Sequence, residues 1–354
     1  MLKIGIIYGG RSTEHDVSIL TGLFAAKNIT ENYKIKLIYL SRDNGFFCGT
    51  NKVDDYIRHK KFRRFKDFRG VDCILNCCHG GIGETGQLSA FFEVLGIPIT
   101  SCDLISAFKQ QSKILTRKIL AENDFLQPKV YFAGGAPCYD VIRENNEFKY
   151  PVIVKPDLGG SSIGVSIANN EDELKEAVEL AKSLGEKYIV EEFIERDAEI
   201  NIAVMKHNGK IITSAEEEVT KEKFYSFEEK YINNNFVPSE NKQANVGVSQ
   251  IKKTETKTSE ESLKIKELAI RAYQLFESSG VVRSDFLVSN GRVYLNENNT
   301  VPGFLAYHLF LKKGFSFGLV IDDLIQNAMQ NAPKSFQNVF KSDILAKNRE
   351  LVLV

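Results

Sequence analysis

Two polar segments near the carboxyl end of the chain carry side chains of the kind that bind divalent cations. The first reads RSDF from Arg283, and the second reads NENNTVPG and ends at Gly303. Residues two apart on a β-strand share a face, so Arg283 projects with Asp285, and Glu297 projects with Asn299. Two carboxylates and a carboxamide suit Mg²⁺, which completes its shell with waters and nucleotide phosphates. An arginine beside such an ion can stabilise charge that develops during phosphoryl transfer.

A glycine-rich segment further upstream offers groups that suit phosphate oxygens. Lys155 ends a predicted strand and is followed by the run PDLGGSSIG, which contains Ser161 and Ser162. Backbone N–H groups in such a turn, with hydroxyls and an ammonium beside them, can bind phosphate. The segment is neither a Walker A loop nor a GxGxxG fingerprint. By itself the signal is weak, and a glycine-rich hairpin with a surface lysine is the alternative.

The predicted strands and helices that must position these segments indicate an α/β protein. A β-branched run at residues 3–8 closes on two glycines and is followed by helical spacing of apolar residues at 17–28. With strands at 33–40 and 73–78 and an edge strand at 97–100, this start predicts an open α/β sheet whose strand ends hold the ligand. The later predicted elements are helices at 104–123, 171–184 and 262–277, and strands at 130–133, 150–155, 165–168, 188–191, 199–205, 210–215, 284–288 and 292–296.

Length and charge exclude several classes of protein. With 354 residues and 39.9 kDa, the chain is long enough for two or three domains. Its 46 Lys and Arg balance 46 Asp and Glu, which leaves no global basic field for nucleic acid. No uncharged run approaches the roughly 18 residues that span a membrane, and the start lacks the pattern of a signal peptide. We therefore expect a cytoplasmic protein with no nucleic-acid or membrane partner.

Cysteine usage agrees with a reducing compartment. The chain has six cysteines and no repeated CxxC pair, which favours reduced thiols. Zinc binding by Cys77, Cys78 and His79 is disfavoured, because adjacent residues on a strand point to opposite faces.

Taken together, these segments resemble the D-alanine–D-alanine ligases, which are ATP-grasp enzymes of bacterial cell-wall synthesis. The resemblance runs in collinear order from about residue 3 to about residue 328. It is carried by five motifs: residues 9–18 (GGRSTEHDVS), 79–86 (HGGIGETG), 155–164 (KPDLGGSSIG), 283–286 with 296–303, and 224–231 (FYSFEEKY), which is similar to the family's mobile ω-loop.

The resemblance implies an N-terminal open parallel α/β sheet followed by a two-part ATP-grasp fold. The implied units are an N-terminal substrate domain at 1–101, a central ATP-grasp subdomain at 102–190, and a C-terminal subdomain at 191–354 with the metal site and mobile loop. ATP would lie between the second and third units. In the family, the carboxylate of one amino acid attacks the γ-phosphate of ATP, and the amine of a second then displaces phosphate from the acyl phosphate.

The resemblance also implies roles for individual residues. For ATP, Lys113, Lys155 and Ser162 would lie at the phosphates and their surroundings, Glu191 or Glu192 at the adenine edge, and Glu199 at the ribose. Two Mg²⁺ ions, with Mn²⁺ as the alternative, would be held by Asp285, Glu297 and Asn299. The catalytic set would be Glu14, Ser161, Lys230, Tyr231 and Arg283, in which Glu14 binds the first amino acid's ammonium and Lys230 reaches the γ-phosphate. The amino acids would also contact His79, Gly303, His308 and Leu309.

Departures from the family pattern concentrate on the side of the second amino acid. His308 stands where the family has a serine that receives the acceptor's carboxylate, and Leu305 stands where it has a threonine. Ser112 and Thr85 each replace an aspartate. Ligase chemistry is therefore better supported than the substrate pair, for which D-alanine with D-alanine is the first choice.

Two other functions stay open at this point. The chain could be a paralogous ligase that uses a different amine acceptor, or a catalytically silent nucleotide-binding relative. A dinucleotide oxidoreductase is disfavoured, because Gly9-Gly10 lacks the GxGxxG spacing. The expected partners are small-molecule amino acids, and a homodimer is left open.

Overall fold

The computed structural model describes residues 1–50, 57–61, 65–219 and 260–331. Within these ranges the chain forms one five-stranded sheet and two four-stranded sheets. The predicted ω-loop, and with it Lys230 and Tyr231, lies outside the described residues. In the part of the chain that is described, no helix is long and apolar enough to cross a membrane.

The N-terminal unit is built around a mixed sheet. Its elements are β1 (Lys3–Gly9), α1 (His15–Asn28), β2 (Lys34–Leu40), β3 (Phe46–Gly49), β4 (Ile57–Lys61), a 3₁₀ turn (Phe65–Phe68), β5 (Cys73–Asn76), α2 (Gly81–Glu84) and α3 (Gln87–Val94). β1 pairs in parallel with β2 and β5, as predicted. The antiparallel hairpin of β3 and β4 beyond β2 was not predicted. The predicted edge strand at 97–100 is reduced to a bridge between Ile74 and Ile99.

The cysteines after β5 lie on two sides of the N-terminal sheet. Cys77 is buried in one apolar core and Cys78 in another, as the alternation of strand side chains requires. All six cysteines have free thiols.

Ser112 divides the single helix predicted at residues 104–123 into two. Its backbone is extended (φ −75°, ψ 110°), and it separates α4 (Leu104–Gln111) from α5 (Lys113–Ala121). The Ser112 hydroxyl accepts a hydrogen bond from Leu115 N–H and donates one to Asp157, so this serine is a helix N-cap. The prediction of one continuous helix was wrong because apolar residues keep helical spacing on both sides of the cap.

The central unit has an antiparallel sheet with the strand order β6-β9-β7-β8. Its elements are β6 (Val130–Gly134), α6 (Tyr139–Arg143), β7 (Val152–Pro156), β8 (Ser166–Ala168), α7 (Glu171–Leu184) and β9 (Tyr188–Glu192). The buried core of this sheet, which includes Val154, Ala177 and Tyr188, is drawn from residues 131–190. The central sheet therefore has a core of its own.

The C-terminal unit has the strand order β11-β10-β12-β13, with antiparallel pairing throughout. Its elements are β10 (Ala198–His207), β11 (Lys210–Val219), α8 (Glu260–Leu275), β12 (Val282–Ser289), β13 (Arg292–Asn299), a 3₁₀ turn (Gly303–Ala306), α9 (Tyr307–Leu311) and α10 (Phe317–Gln330). Ile200 and Ile202 of β10 pack in one core with Ile265 of α8 and with Leu120 of α5. One face of this sheet is thus covered by helices.

The N-terminal and C-terminal units share an apolar core. α10 lies against β5 and α1, and its side chains Ile321 and Leu324 are buried in the same core as Ile4 and Ile6 of β1. The sequence analysis did not predict α10. This helix fixes the C-terminal sheet to the N-terminal one.

Candidate active site

A row of polar side chains crosses the C-terminal sheet on the face opposite α8. Directly paired residues on neighbouring strands point to the same side of a sheet. This row, called here the polar row, consists of Glu217 on β11, Asn201 on β10, Asp285 on β12 and Glu297 on β13. One step along the strands, Arg283 pairs with Asn299 on the same face. The structure therefore brings together the two pairs that the sequence alternation predicted.

Asp285 of the polar row is held by Arg283 and Asn299. Arg283 donates from Nε to Oδ1 at 2.7 Å and from Nη2 to Oδ2 at 2.8 Å. Asn299 donates from Nδ2 to Oδ2 at 3.1 Å. The guanidinium thus holds the carboxylate in a bidentate pair, which fixes its direction as well as its charge.

The donor chemistry of this face fits magnesium better than zinc. Among the described residues, no group of three or more His, Cys, Asp or Glu is placed to hold a metal ion. The face instead offers two carboxylates, Asp285 and Glu297, and the carboxamide of Asn299. An oxygen donor set with so few protein ligands suits Mg²⁺, which keeps waters and takes phosphate oxygens, whereas zinc sites need three or four protein ligands.

A buried ion-paired cluster joins the central sheet to this face. Lys155 on β7 lies 2.9 Å from the carboxylate of Glu191 on β9 and donates to Asn296 Oδ1 at 3.2 Å. Arg117 on α5 binds the same carboxylate and donates from Nη1 to the backbone carbonyl of Leu295 at 3.1 Å. The two predicted motifs around Lys155 and Asn296 therefore meet in one cleft.

The charges of this cluster keep Glu191 ionised. Its carboxyl is fully buried, and burial alone would raise its pKa. The cations Arg117 and Lys155 outweigh burial and lower the pKa of Glu191 to about 2. Both carboxylate oxygens of Glu191 bind cations of the protein itself, so the carboxylate is occupied by Arg117 and Lys155.

Glu192 and Glu199 lie where the central and C-terminal sheets join. Glu192 follows Glu191 at the end of β9 and lines a cavity of about 400 Å³ together with Phe193 and Tyr294. Glu199, near the start of β10, lies 3.3 Å from Arg196 in an ion pair. Of the two residues that the sequence left open for the adenine edge, Glu192 lines this cavity, whereas Glu191 is fully buried and paired with Arg117 and Lys155.

Lys113 and the glycine-rich loop lie on the same side of the cleft. Lys113 is at the start of α5, one turn before Arg117, and donates from Nζ to the carbonyl of Gly159 at 2.9 Å. Burial lowers the pKa of Lys113, although the negative charge of Glu297 opposes this effect. In the loop, Ser161 and Ser162 adopt left-handed backbone angles (φ 54° and 59°). These angles are uncommon outside glycine and turn the loop sharply beside Lys113.

The loop also reaches the N-terminal unit. Ser161 donates a hydrogen bond to Glu14 Oε1 at 2.6 Å. Glu14 immediately precedes α1 and Ser161 follows β7, so this bond connects two units that are far apart in sequence. Two members of the predicted catalytic set, Glu14 and Ser161, thus meet, while Tyr231 of that set lies outside the described residues.

His79 joins the N-terminal unit to the turn after β13. The imidazole is buried, with Nδ1 2.7 Å from the carbonyl of Val301 and Nε2 2.7 Å from the hydroxyl of Thr21. The carbonyl can only accept, so Nδ1 carries the proton and Nε2 accepts from Thr21. Burial lowers the pKa of His79. His79 therefore positions the turn that leads to Gly303.

His308 lies at the far end of the polar row. Its Nε2 is 3.3 Å from Oε2 of Glu217. Burial raises the pKa of Glu217, but the hydrogen bond and charge of His308 outweigh burial and lower it. The side chain of Leu309 is fully buried in the core shared with the N-terminal unit. Gly303, at the start of the 3₁₀ turn, is half-buried.

A further buried carboxyl, Glu84, lies near Glu14. Gln111 donates to Glu84 Oε2 at 2.9 Å, and Thr300 donates to the Glu84 backbone carbonyl at 3.0 Å. Burial, and then the negative charge of Glu14, raises the pKa of Glu84 to about 8. The folded protein therefore keeps this carboxyl protonated at pH values where an unfolded chain has already lost the proton.

Replacing Glu84 by glutamine is expected to flatten the pH dependence of stability. The raised pKa of Glu84 contributes stability that is present below about pH 4.5 and is lost as the pH rises towards 8 and above. For wild type we expect this loss to be roughly 2–4 kcal/mol between pH 5 and pH 9. The glutamine side chain is neutral at both pH values and can still accept a hydrogen bond from Gln111. Urea unfolding at both pH values measures the effect, and an equal loss in both proteins would contradict it.

Several of these residues were missed by the sequence analysis, although weak signals were present. Arg117 is four residues after Lys113 on a helix, which places both on one face. Glu217 is the middle of three consecutive glutamates at the end of β11, so it projects opposite to its two neighbours. Asn201 gives no signal of its own, because a polar residue in an apolar strand has many structural explanations.

Comparison with known proteins agrees with this arrangement. A family model described as D-ala D-ala ligase N-terminus matches residues 3–102, and one described as D-ala D-ala ligase C-terminus matches residues 137–330. The D-alanine–D-alanine ligase of Thermosipho africanus is 30% identical over an alignment of 385 positions, gaps included, that covers 97% of each chain.

Solved structures show the same fold. The VanG D-Ala:D-Ser ligase from Enterococcus faecalis matches with a TM-score of 0.76 at 26% identity, over 92% of this chain and 99% of that one. The D-alanine–D-alanine ligase from Bacillus anthracis complexed with ATP matches in fold with a TM-score of 0.70 at 22% identity, over 93% and 98% of the two chains. Two family models match this chain, and a relative that is 30% identical aligns along nearly its whole length. The chain therefore belongs to the D-alanine–D-alanine ligase family.

Proposed function

We propose that this protein joins two molecules of D-alanine, with conversion of ATP to ADP and phosphate, and so supplies D-alanyl-D-alanine for peptidoglycan synthesis. Membership of the family makes it an ATP-dependent carboxylate–amine ligase. The observation that supports the reaction most directly is the single cleft in which Lys155 lies 3.2 Å from Asn296, the residue before Glu297 of the polar row. The negative charge of Glu297 also acts on the ammonium of Lys113, so cationic groups for phosphate and anionic groups for a metal lie close together.

The chemistry needs both kinds of group, because a carboxylate is a poor electrophile until it carries a good leaving group. An oxygen of the donor carboxylate attacks the γ-phosphorus, and the bond to ADP breaks. The acceptor's neutral amine then attacks the acyl carbon, the bond to phosphate breaks, and the proton that the nitrogen must lose passes to the departing phosphate. Arg283 lies on the face where negative charge accumulates in both steps and would stabilise it there. A closed cleft keeps water from the acyl phosphate.

We assign the other residues as follows. Glu14, positioned by Ser161, binds the donor's ammonium, and Lys113, Lys155 and Ser162 bind the phosphates. Glu192 lies at the adenine edge, while Glu191 positions Lys155, and Glu199 binds the ribose. Asp285, Glu297 and Asn299 would hold Mg²⁺, which when bound neutralises phosphate charge. Lys230 and Tyr231 would close the cleft from the segment outside the described residues. The units at 1–101, 102–190 and 191–354 would serve as the substrate, central ATP-grasp and C-terminal ATP-grasp domains.

Measuring phosphate release with a panel of D- and L-amino acids tests the assignment. We expect ATP-dependent release of phosphate with D-alanine and formation of the dipeptide. Activity with a different pair alone would favour the paralogous ligase that uses another acceptor. ATP binding without turnover for every pair would favour the silent relative. ATP binding without turnover is the less expected outcome. Ser112 replaces an aspartate of the family pattern, but it still caps the start of α5, so this substitution preserves the helix start.

Replacing His308 by serine is expected to change acceptor preference in favour of D-alanine. His308 is larger than serine and is held by Glu217 at 3.3 Å, so the site proposed for the acceptor's carboxylate would differ in size and charge. We expect the ratio of kcat/KM for D-alanine to that for D-serine as acceptor to rise by roughly 3–10-fold, a difference typical of a small change in pocket volume. Identical acceptor kinetics in the two proteins would show that His308 does not contact the acceptor.

A further inference from the structure

The polar row contains one side chain that the proposed function has not used. Asn201 lies between Glu217 and Asp285 on neighbouring strands, which are about 4.8 Å apart in a sheet. Asn201 is 8% exposed to solvent. Alternate residues of the same strand, Ile200 and Ile202, point into the core under α8. The Asn201 amide therefore points to the opposite face, towards the cleft.

The carbonyl oxygen of this amide is buried without a protein partner. Among residues 1–50, 57–61, 65–219 and 260–331, Asn201 Oδ1 has no hydrogen-bond donor. Buried polar atoms are almost always satisfied in folded proteins, so an exception at a ligand-binding face points to a bound group. Because Oδ1 offers only lone pairs, the missing group is a hydrogen-bond donor or a cation.

The neighbours of Asn201 narrow the chemistry of that donor. On one side, Glu217 contributes a carboxylate whose Oε2 already faces His308. On the other side, Asp285 has both oxygens engaged by Arg283 and Asn299. A donor that binds at Asn201 thus has the Glu217 carboxylate, on the neighbouring strand, as an anionic partner. A carbonyl oxygen and a carboxylate side by side fit the N–H groups of a primary amine, and the carboxylate can take the proton that the ammonium form loses before the neutral amine attacks.

We propose that Asn201 Oδ1 and the Glu217 carboxylate bind the amino group of the acceptor amino acid and hold it beside the acyl phosphate. The inference rests on the proposed two-step ligation. It assigns an order along the polar row: Asp285 and Glu297 at the phosphate end, Asn201 and Glu217 at the amine, and His308 beyond them at the acceptor's carboxylate. The attacking nitrogen is then one strand away from the residues at which the acyl phosphate forms.

Two variants of the full-length enzyme test the assignment independently. Asn201→Leu removes the carbonyl at similar volume, and Glu217→Gln removes the charge at constant shape. Asn201→Asp keeps an oxygen in place, and Asn331→Leu, at the exposed residue that follows α10, is the matched control for the same substitution elsewhere. Thermal unfolding identifies the variants that fold. If Asn201→Leu does not, Glu217→Gln still decides the outcome.

The kinetic measurement separates the two half-reactions. Dipeptide formation depends on the acceptor site, whereas trapping of the donor acyl phosphate as a hydroxamate by added hydroxylamine does not. We expect Asn201→Leu and Glu217→Gln to raise the KM for the acceptor amino acid by about tenfold or more. We also expect them to reduce dipeptide formation at least about five times more than hydroxamate formation. Asn201→Asp should keep the acceptor KM within about threefold of wild type.

Other outcomes overturn the inference. An acceptor KM within about twofold of wild type in the two test variants would show that these oxygens do not bind the amine. Equal losses of dipeptide and hydroxamate would show that Asn201 serves the phosphate end of the cleft or a lysine of the protein. Absence of both products in wild type would instead contradict the proposed function itself.

Discussion

Replacing Glu297 by glutamine is expected to lower kcat by at least about a thousandfold. The change removes one of the two carboxylates on the cleft face of the C-terminal sheet and keeps the shape of the side chain. Charge stabilisation by a metal and its ligands supplies several kcal/mol in reactions of this kind, and about 4 kcal/mol corresponds to a thousandfold in rate. Glu297 is half-buried, so the fold should be retained. Steady-state phosphate release at saturating ATP and amino acid measures the loss.

A second readout distinguishes metal binding from a general defect. The affinity for ATP should depend strongly on added Mg²⁺ in wild type and weakly in the Glu297→Gln variant, as measured by calorimetry. Glu179→Gln, which makes the same chemical change on the exposed surface of α7, is the matched control and should behave as wild type. Full turnover in the Glu297 variant would remove this residue from the site.

Replacing Arg117 by methionine is expected to lower the free energy of unfolding more than any other substitution proposed for this protein. The substitution leaves the fully buried carboxylate of Glu191 with Lys155 as its remaining cation. Removing one partner of a buried ion pair typically destabilises a protein by about 3–5 kcal/mol. Arg117 also binds the carbonyl of Leu295, which would lose its donor. Urea unfolding of the variant and wild type at pH 7 measures the difference.

A double variant separates stability from function in this cluster. Arg117→Met combined with Glu191→Leu replaces the ion pair by apolar side chains and should recover most of the lost stability. ATP binding should stay weak, because Lys155 no longer has Glu191 to fix its position. A double variant as unstable as the single one would show that the buried charge of Glu191 is not the cause.

The buried cluster of Arg117, Lys155 and Glu191 also predicts how the stability of the protein changes at acid pH. The pKa of Glu191 in the folded protein is about 2, below its ordinary value of 4.5. Its contribution to stability is therefore present above about pH 4.5 and is lost as the pH falls towards 2. The double variant should lack this part of the acid sensitivity, so its stability should fall less than that of wild type over that interval.

Much of the fold follows from local patterns that the sequence displays directly. The strand at Lys3–Gly9 and the helix at Glu171–Leu184 lie close to their predicted bounds, because β-branched runs and regular helical spacing are local properties. The hairpin of β3 and β4 was missed, since Phe46–Gly49 is too short to show alternation. The break at Ser112 depends on a hydrogen bond to Asp157, which is distant in sequence.

The site was predictable to the extent that its residues stand in recognisable motifs. Strand alternation placed Asp285 with Arg283, and the pairing of β12 with β13 then brought Glu297 beside them. Arg117 and Asn201 lie outside any motif. Their roles depend on burial and on partners that come from other elements, and neither property can be read from one segment of sequence.

The way the apolar cores are divided has a mechanical consequence. The first and last sheets are joined through α10, while the central sheet keeps its own core. Contacts from the central sheet to its surroundings include the polar bonds of Lys155 to Asn296, Glu191 to Arg117, and Asp157 to Ser112. The first and last sheets therefore form one packed base, and the central sheet is packed separately beside it. Rotation of the central sheet relative to this base would change the width of the nucleotide cleft, and it would exchange these polar bonds for water and move β6 and β9 against α5.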